Sequence, residues 1–178
     1  MVTSKHEFQN TYEKRLIPEK QPVRGEFGTN AVFMARIVAQ NILGNAVKFP
    51  GVLNANATSV YDWSLGSAGL TLQMAAEAGI DVVTGSSEVH DKYPMMDDVD
   101  VIRTKLMFNR ENQQLIGGCV MRKGNSTAQN VDFISHAIQM GSTMDDILTY
   151  QYCTHPELAA KPSDNSYTFA ARDAKNKL

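Results

Sequence analysis

Long apolar runs, cysteine and an excess of either charge are all scarce in this chain of 178 residues. No stretch approaches the roughly 20 consecutive apolar residues that a membrane span needs. The opening MVTSKHEFQNTYEKRL is charged and has no signal-peptide core. A soluble, cytoplasmic protein is therefore expected. Two cysteines, Cys119 and Cys153, cannot build a disulfide framework and suit a reducing compartment. A net charge of −2 gives no electrostatic ground for nucleic acid or an anionic membrane as partner. The four histidines His6, His90, His136 and His155 are scattered, and none pairs with a cysteine or histidine at structural-zinc spacing, so no metal is expected. Neither a G-x-G-x-x-G fingerprint nor a Walker lysine is present. "LGSAGLT" reads as a strand-to-helix connection rather than a phosphate loop, although amides at a helix start can bind phosphate.

What is present is ordinary globular material, 43% hydrophobic and 20% charged. Residues 1–27 mix charge with proline and glycine and read as an arm. "GTNAVFMARIVAQNILGN" predicts a helix with Thr29 or Asn30 as N-cap and Gly44 as terminator. It is apolar on every face, the pattern of a helix covered on more than one side. Ser59 to Leu65 reads as a strand. A short helix follows, capped by Thr71 and ended by Gly79. "IDVVTGSSEV", "VDVIRTKLMF" and "QLIGGCVM" read as strands, the last two pairing antiparallel across "NRENQ". Cys119 is expected as a small buried hydrophobe, and the adjacent glycines as close backbone packing. "QNVDFISHAIQMG" puts Val131, Ile134 and Ile138 on one helix face. His136 on that helix reads as structural, and "STMDDILTYQY" begins a further helix at Ser142 or Thr143. Strands followed by helices give an α+β fold, an antiparallel or mixed sheet backed by helices.

The stretch "CTHPELAAKP" carries the chemistry. His155 suits general acid–base work near neutral pH, and Pro156 restricts its backbone. Glu157 could orient the imidazole, or could belong to an ordinary helix start in "PELAAK". A Cys153–His155 thiol site is a further reading, but no oxyanion-binding group accompanies it.

Taken in order, "ARIVAQNILGN", "FPGV", "GLTLQMAAEAGIDV", "YPMMDDVDVIRTKLMFNRENQQLIGGCVMRKG" and "VDFISHAIQMGSTMDDI" resemble one family over residues 28–152. It is the C-terminal dimerisation domain of FAD-dependent pyridine nucleotide-disulfide oxidoreductases, in the NADH oxidase and coenzyme A-disulfide reductase branch. The resemblance implies residues 1–27 as an arm or the remnant of an FAD domain, 28–50 as a helix bridging to a flavin domain, and 51–178 as the dimerisation domain. It implies that the backbone of Gly28, Thr29, Asn30 and Ala31 approaches the flavin, where helix-terminal amides favour developing negative charge. It implies a homodimer in which His155 or Tyr152 serves the partner's active site. Relatives of the glutathione reductase type carry a His-Pro followed by an orienting glutamate, whereas the oxidase branch carries a tyrosine and prolines. His155-Pro156 matches the first pattern and Tyr152 is the candidate for the second, but Glu157 follows more closely than the orienting glutamate does. Met74 and Cys119 also depart from the family, where a glutamate and a glutamine are usual. FAD and NAD(P)H are implied for a full enzyme, and none for the chain alone, which is expected to be inactive as an excised piece or split subunit. The partners implied are a second copy and the FAD/NAD-binding domains or a companion chain. A free-standing interaction module that kept the fold without the chemistry is the alternative.

Overall fold

Alternating residues in five segments send every second side chain to the same side, and these segments assemble into one sheet. The computed structural model describes residues 27–124 and 126–178; the expected arm of residues 1–27 lies outside them but for Phe27. Helix α1 spans Gly28–Ile42. It is followed by strands β1 (Asn56–Val60) and β2 (Trp63–Gly69), and by helix α2 (Leu72–Glu77). Strands β3 (Val82–His90), β4 (Val101–Asn109) and β5 (Leu115–Lys123) come next, then helices α3 (Thr127–Met140), α4 (Met144–Thr149) and α5 (Ser166–Lys175). The strand order is β1-β2-β5-β4-β3 and every pairing is antiparallel. The fold is α+β, as the sequence predicts. The chain divides into two compact units, one ending at Asn54 and the other running Ala55–Leu178.

Register shows what covers the sheet. Gly85, Leu106, Gly118 and Ala68 stand side by side across β3, β4, β5 and β2, as do Ser87, Thr104, Val120 and Gly66. These rows face helices α3 and α5. A Cβ on Gly66 would lie 2.5 Å from a Val131 methyl of α3, and a Cβ on Gly85 would strike the backbone of Ala170 in α5. Small residues therefore let the helices sit directly on the strands. Phe108, Leu106, Leu115, Ile134 and Ile147 are the large, fully buried members of this core. The other face carries Leu65, Ser67, Glu88, Arg103, Lys105, Cys119 and Met121. It is partly covered only at the end where Gly117 meets Leu70.

Several expectations change. Ser59–Leu65 is not one strand but the heart of a β1–β2 hairpin, turned by Tyr61 and Asp62, with Tyr61 in the left-handed region at φ 54°. Helix α1 starts two or three residues earlier than expected. Its N-cap is Phe27 and no side chain caps it, so Thr29 and Asn30 lie inside its first turn. "PELAAK" is turn, not helix: the amides of Leu158 and Ala159 both bond to the His155 carbonyl and no further turn follows. Pro162 stops propagation after too few residues for a helix to persist. Cys119 is exposed, because its parity in β5 places it on the uncovered face. Helix α5 was not expected at all. The expected Thr71 cap is present, accepting from the Met74 amide. Thr143 makes a full capping box with Asp146, whose carboxyl is held below the usual range by the Thr143 amide and hydroxyl.

Helix α5 also closes one edge of the sheet. The Ser86 amide donates to Asp173 Oδ2 at 2.8 Å, and Lys177 Nζ donates to the Thr84 carbonyl at 3.1 Å. Lys177 bonds Asp173 in turn, and together with the Ser86 amide it holds that carboxyl below its ordinary range.

Candidate functional site

Residues 150–165 leave α4 and cross to α5 without regular structure, so any precision in this loop must come from its anchors. Aromatic packing supplies the first. Tyr150 packs on Phe133 of α3 at 4.8 Å between ring centroids and on Tyr152 at 5.3 Å, while Phe133 packs on Tyr167 of α5 at 4.3 Å. Hydrogen bonds supply the second. Asn165 caps α5 through its side-chain oxygen, which accepts from the Tyr167 and Thr168 amides, and its Nδ2 donates to the Tyr150 hydroxyl at 2.7 Å. The Tyr167 hydroxyl donates to the Asn130 carbonyl and accepts from Asn130 Nδ2. Burial pushes the Tyr150 hydroxyl up to about 12 against the opposing pull of the Asn165 bond, and burial pushes Tyr167 up as well. Both phenols stay neutral and serve as hydrogen-bonding struts.

The three sequence-predicted residues of this segment lie together on that loop. The Tyr152 hydroxyl donates to the Pro162 carbonyl at 2.7 Å, spanning the loop from one arm to the other. His155 is exposed and its Nδ1 accepts the Glu157 amide at 3.2 Å. The Glu157 carboxylate is exposed and hydrogen-bonds nothing among the described residues. A second loop, 91–100, holds the first from outside: the Tyr93 amide donates to the Pro156 carbonyl at 3.0 Å. That second loop is itself pinned. Asp91 pairs with Arg122 at 3.2 Å, their side chains only 10% and 16% exposed, and Asp91 also accepts the Asp100 amide.

Gly28, Thr29, Asn30 and Ala31 belong to the first unit. Gly28, Thr29 and Ala31 are exposed, and among the described residues no side chain caps this end of α1 and nothing lies within 4 Å of where a Gly28 Cβ would stand. Of α1 only Ile37 is buried, so most of its apolar surface is uncovered within this chain. His136 is exposed, and among the described residues no cluster of three His, Cys, Asp or Glu could hold a metal ion. No helix among them is long and apolar enough to cross a membrane. A concavity of about 740 Å³ lies on the open sheet face, lined by Ser67, Glu88, Arg103, Lys105 and Cys119 among others; it includes neither Tyr152 nor His155. Sequence reasoning missed Tyr93, Tyr150, Asn130 and Asn165, whose roles depend on partners far along the chain. The cluster of tyrosines at 150, 152 and 167 was the available signal.

A five-stranded antiparallel sheet backed by α3 and α5, with a stapled loop leading into the last helix, defines a class. Residues 56–165 match the pyridine nucleotide-disulphide oxidoreductase dimerisation domain, and the chain belongs to that family. Among individual proteins, an NADH oxidase of Methanocaldococcus jannaschii is 29% identical over 171 residues, covering 94% of this chain and 35% of its own. A NAD-dependent persulfide reductase from A. fulgidus superposes with a TM-score of 0.81 at 28% identity, covering 95% of this chain and 30% of that one. A water-forming NADH oxidase from Lactobacillus brevis, bound to NADH, shares the fold with a TM-score of 0.82 at 22% identity, covering 95% and 36%. The chain thus spans about a third of the length of these relatives.

Proposed function

We propose that this chain is the dimerisation portion of a flavin-dependent NAD(P)H oxidoreductase of the NADH oxidase and disulfide reductase type. The match over residues 56–165 carries the reading. In it, residues 28–50 bridge to a flavin domain, the start of α1 at Gly28, Thr29, Asn30 and Ala31 meets the flavin, and residues 51–178 form contacts between two copies. The exposed apolar residues of α1, among them Val32, Phe33 and Ile42, support the bridge. FAD supplies the electron relay when bound; this chain's part is to orient it, exclude water and bring His155 or Tyr152 to the partner's site. The chain alone is inactive in this reading, and its place of work is the cytoplasm. Tyr152 already spends its hydroxyl on Pro162, which favours His155 as the residue presented outward.

Light scattering on a size-exclusion column should give a homodimer, and the visible spectrum with added FAD should show no stoichiometric yellow protein that turns over NADH. Either a clean monomer at micromolar concentration or a flavin-loaded, active chain defeats the proposal. In a full-length enzyme reconstituted with a flavin domain, His155→Leu should lower turnover by about 10²–10³-fold, the worth of one hydrogen-bond donor to developing negative charge. Normal turnover would move the role to Tyr152.

A further inference from the structure

The 155–157 turn holds the imidazole in a way that selects its form. The Glu157 amide points at His155 Nδ1 from 3.2 Å, and a ring nitrogen that accepts an N–H cannot carry a hydrogen of its own. Of the two neutral tautomers, this backbone bond admits only the one with its hydrogen on Nε2. The turn cannot easily relax away from that geometry. Leu158 and Ala159 both bond the His155 carbonyl, the Tyr93 amide bonds the Pro156 carbonyl, and Tyr152 ties the far arm of the loop through Pro162.

We infer that the turn fixes neutral His155, on an exposed loop, as an Nε2–H donor, whose ligand is a hydrogen-bond acceptor. The donor keeps its proton, so no bond breaks; the ring stabilises negative charge on the acceptor and does not act as a base. A glutamate bonded through its side chain to Nδ1–H would set the opposite tautomer and leave Nε2 as the acceptor. Here Glu157 works through its amide instead. The assignment of a ligand rests on the proposed function; the assignment of the tautomer does not.

The test is nitrogen-15 NMR of the labelled chain at about pH 8, where an imidazole is neutral. His155 is assigned by loss of its signals in His155→Gln, with His136, exposed and without a hydrogen bond among the described residues, as internal reference. His155 should show pyridine-type Nδ1 and pyrrole-type Nε2 shifts. Its tautomer ratio should favour Nε2–H by about 2- to 10-fold more than that of His136, the worth of one hydrogen bond. A scalar coupling between the Glu157 amide nitrogen and Nδ1 is expected, and Glu157→Gln should leave all of this unchanged. A pyrrole-type Nδ1, a ratio equal to that of His136, or a shift on Glu157→Gln overturns the inference. Because the ring is read in the chain itself, the result is separate from the dimer and flavin measurements. A monomer with the Nε2–H form would defeat only the functional reading.

Discussion

The two faces of the sheet are drawn from the same five strands, yet they follow different physics. On the covered face, glycine and alanine alternate with Leu106, Phe108 and Val120, and helices α3 and α5 exclude water. On the open face Glu88, Arg103, Lys105 and Cys119 stay wet. Each face even has its own arginine–carboxylate pair. Arg122–Asp91 is nearly buried, whereas Arg103–Glu88 leaves 42% and 56% of its side chains exposed. The same chemistry is therefore structural on one side and largely screened on the other. One residue of parity in a strand decides which.

Substitutions matched across the faces can sharpen or break that contrast. Ile134 is fully buried against Gly118, and Ile134→Ala should cost about 3 kcal/mol as a lower urea midpoint at constant m. Asp91→Ala strands Arg122 and should cost nearly as much, about 3 kcal/mol, seen as a melting temperature lower by roughly 6–12 °C. Thr104 buries a hydroxyl with no hydrogen-bond partner on the covered face. Thr104→Val should thus stabilise by about 1 kcal/mol, measured in the same urea series. Glu88→Gln, on the open face, should change stability by less than about 0.5 kcal/mol and lose even that in high salt. If Glu88→Gln matched Asp91→Ala, the distinction between the faces would collapse.

Legibility in the sequence followed the same divide. The β4–β5 hairpin could be read because "NRENQ" separates two strand-like runs, and α3 because Val131, Ile134 and Ile138 recur at helical spacing. The β1–β2 hairpin could not, since a tyrosine occupies a left-handed turn position where glycine or asparagine would be the signal. Helix α5 was missed because its buried stripe, Tyr167, Ala170, Ala171 and Ala174, is alanine at three of four positions and so reads as weakly apolar. The smallness of the alanines only makes sense beside Gly85, which lies 85 positions before Ala170 in the chain and directly beneath it in space. Cys119 was misplaced because burial was judged by residue type and not by strand parity. The site divided likewise. Tyr152, His155 and Glu157 stand within six positions and were found together, but the turn that sets the imidazole uses an amide, which every residue but proline possesses and no sequence pattern marks.

The two rims of the sheet are unequal. Along β3 the outward amide of Ser86 and the outward carbonyl of Thr84 are already taken by Asp173 and Lys177, side chains of the last helix and the residues just beyond it. An incoming strand would find those two groups already bonded. Along β1 every residue is exposed. Any extended segment that lengthens the sheet is therefore turned away from the Thr84–Ser86 stretch of the β3 rim.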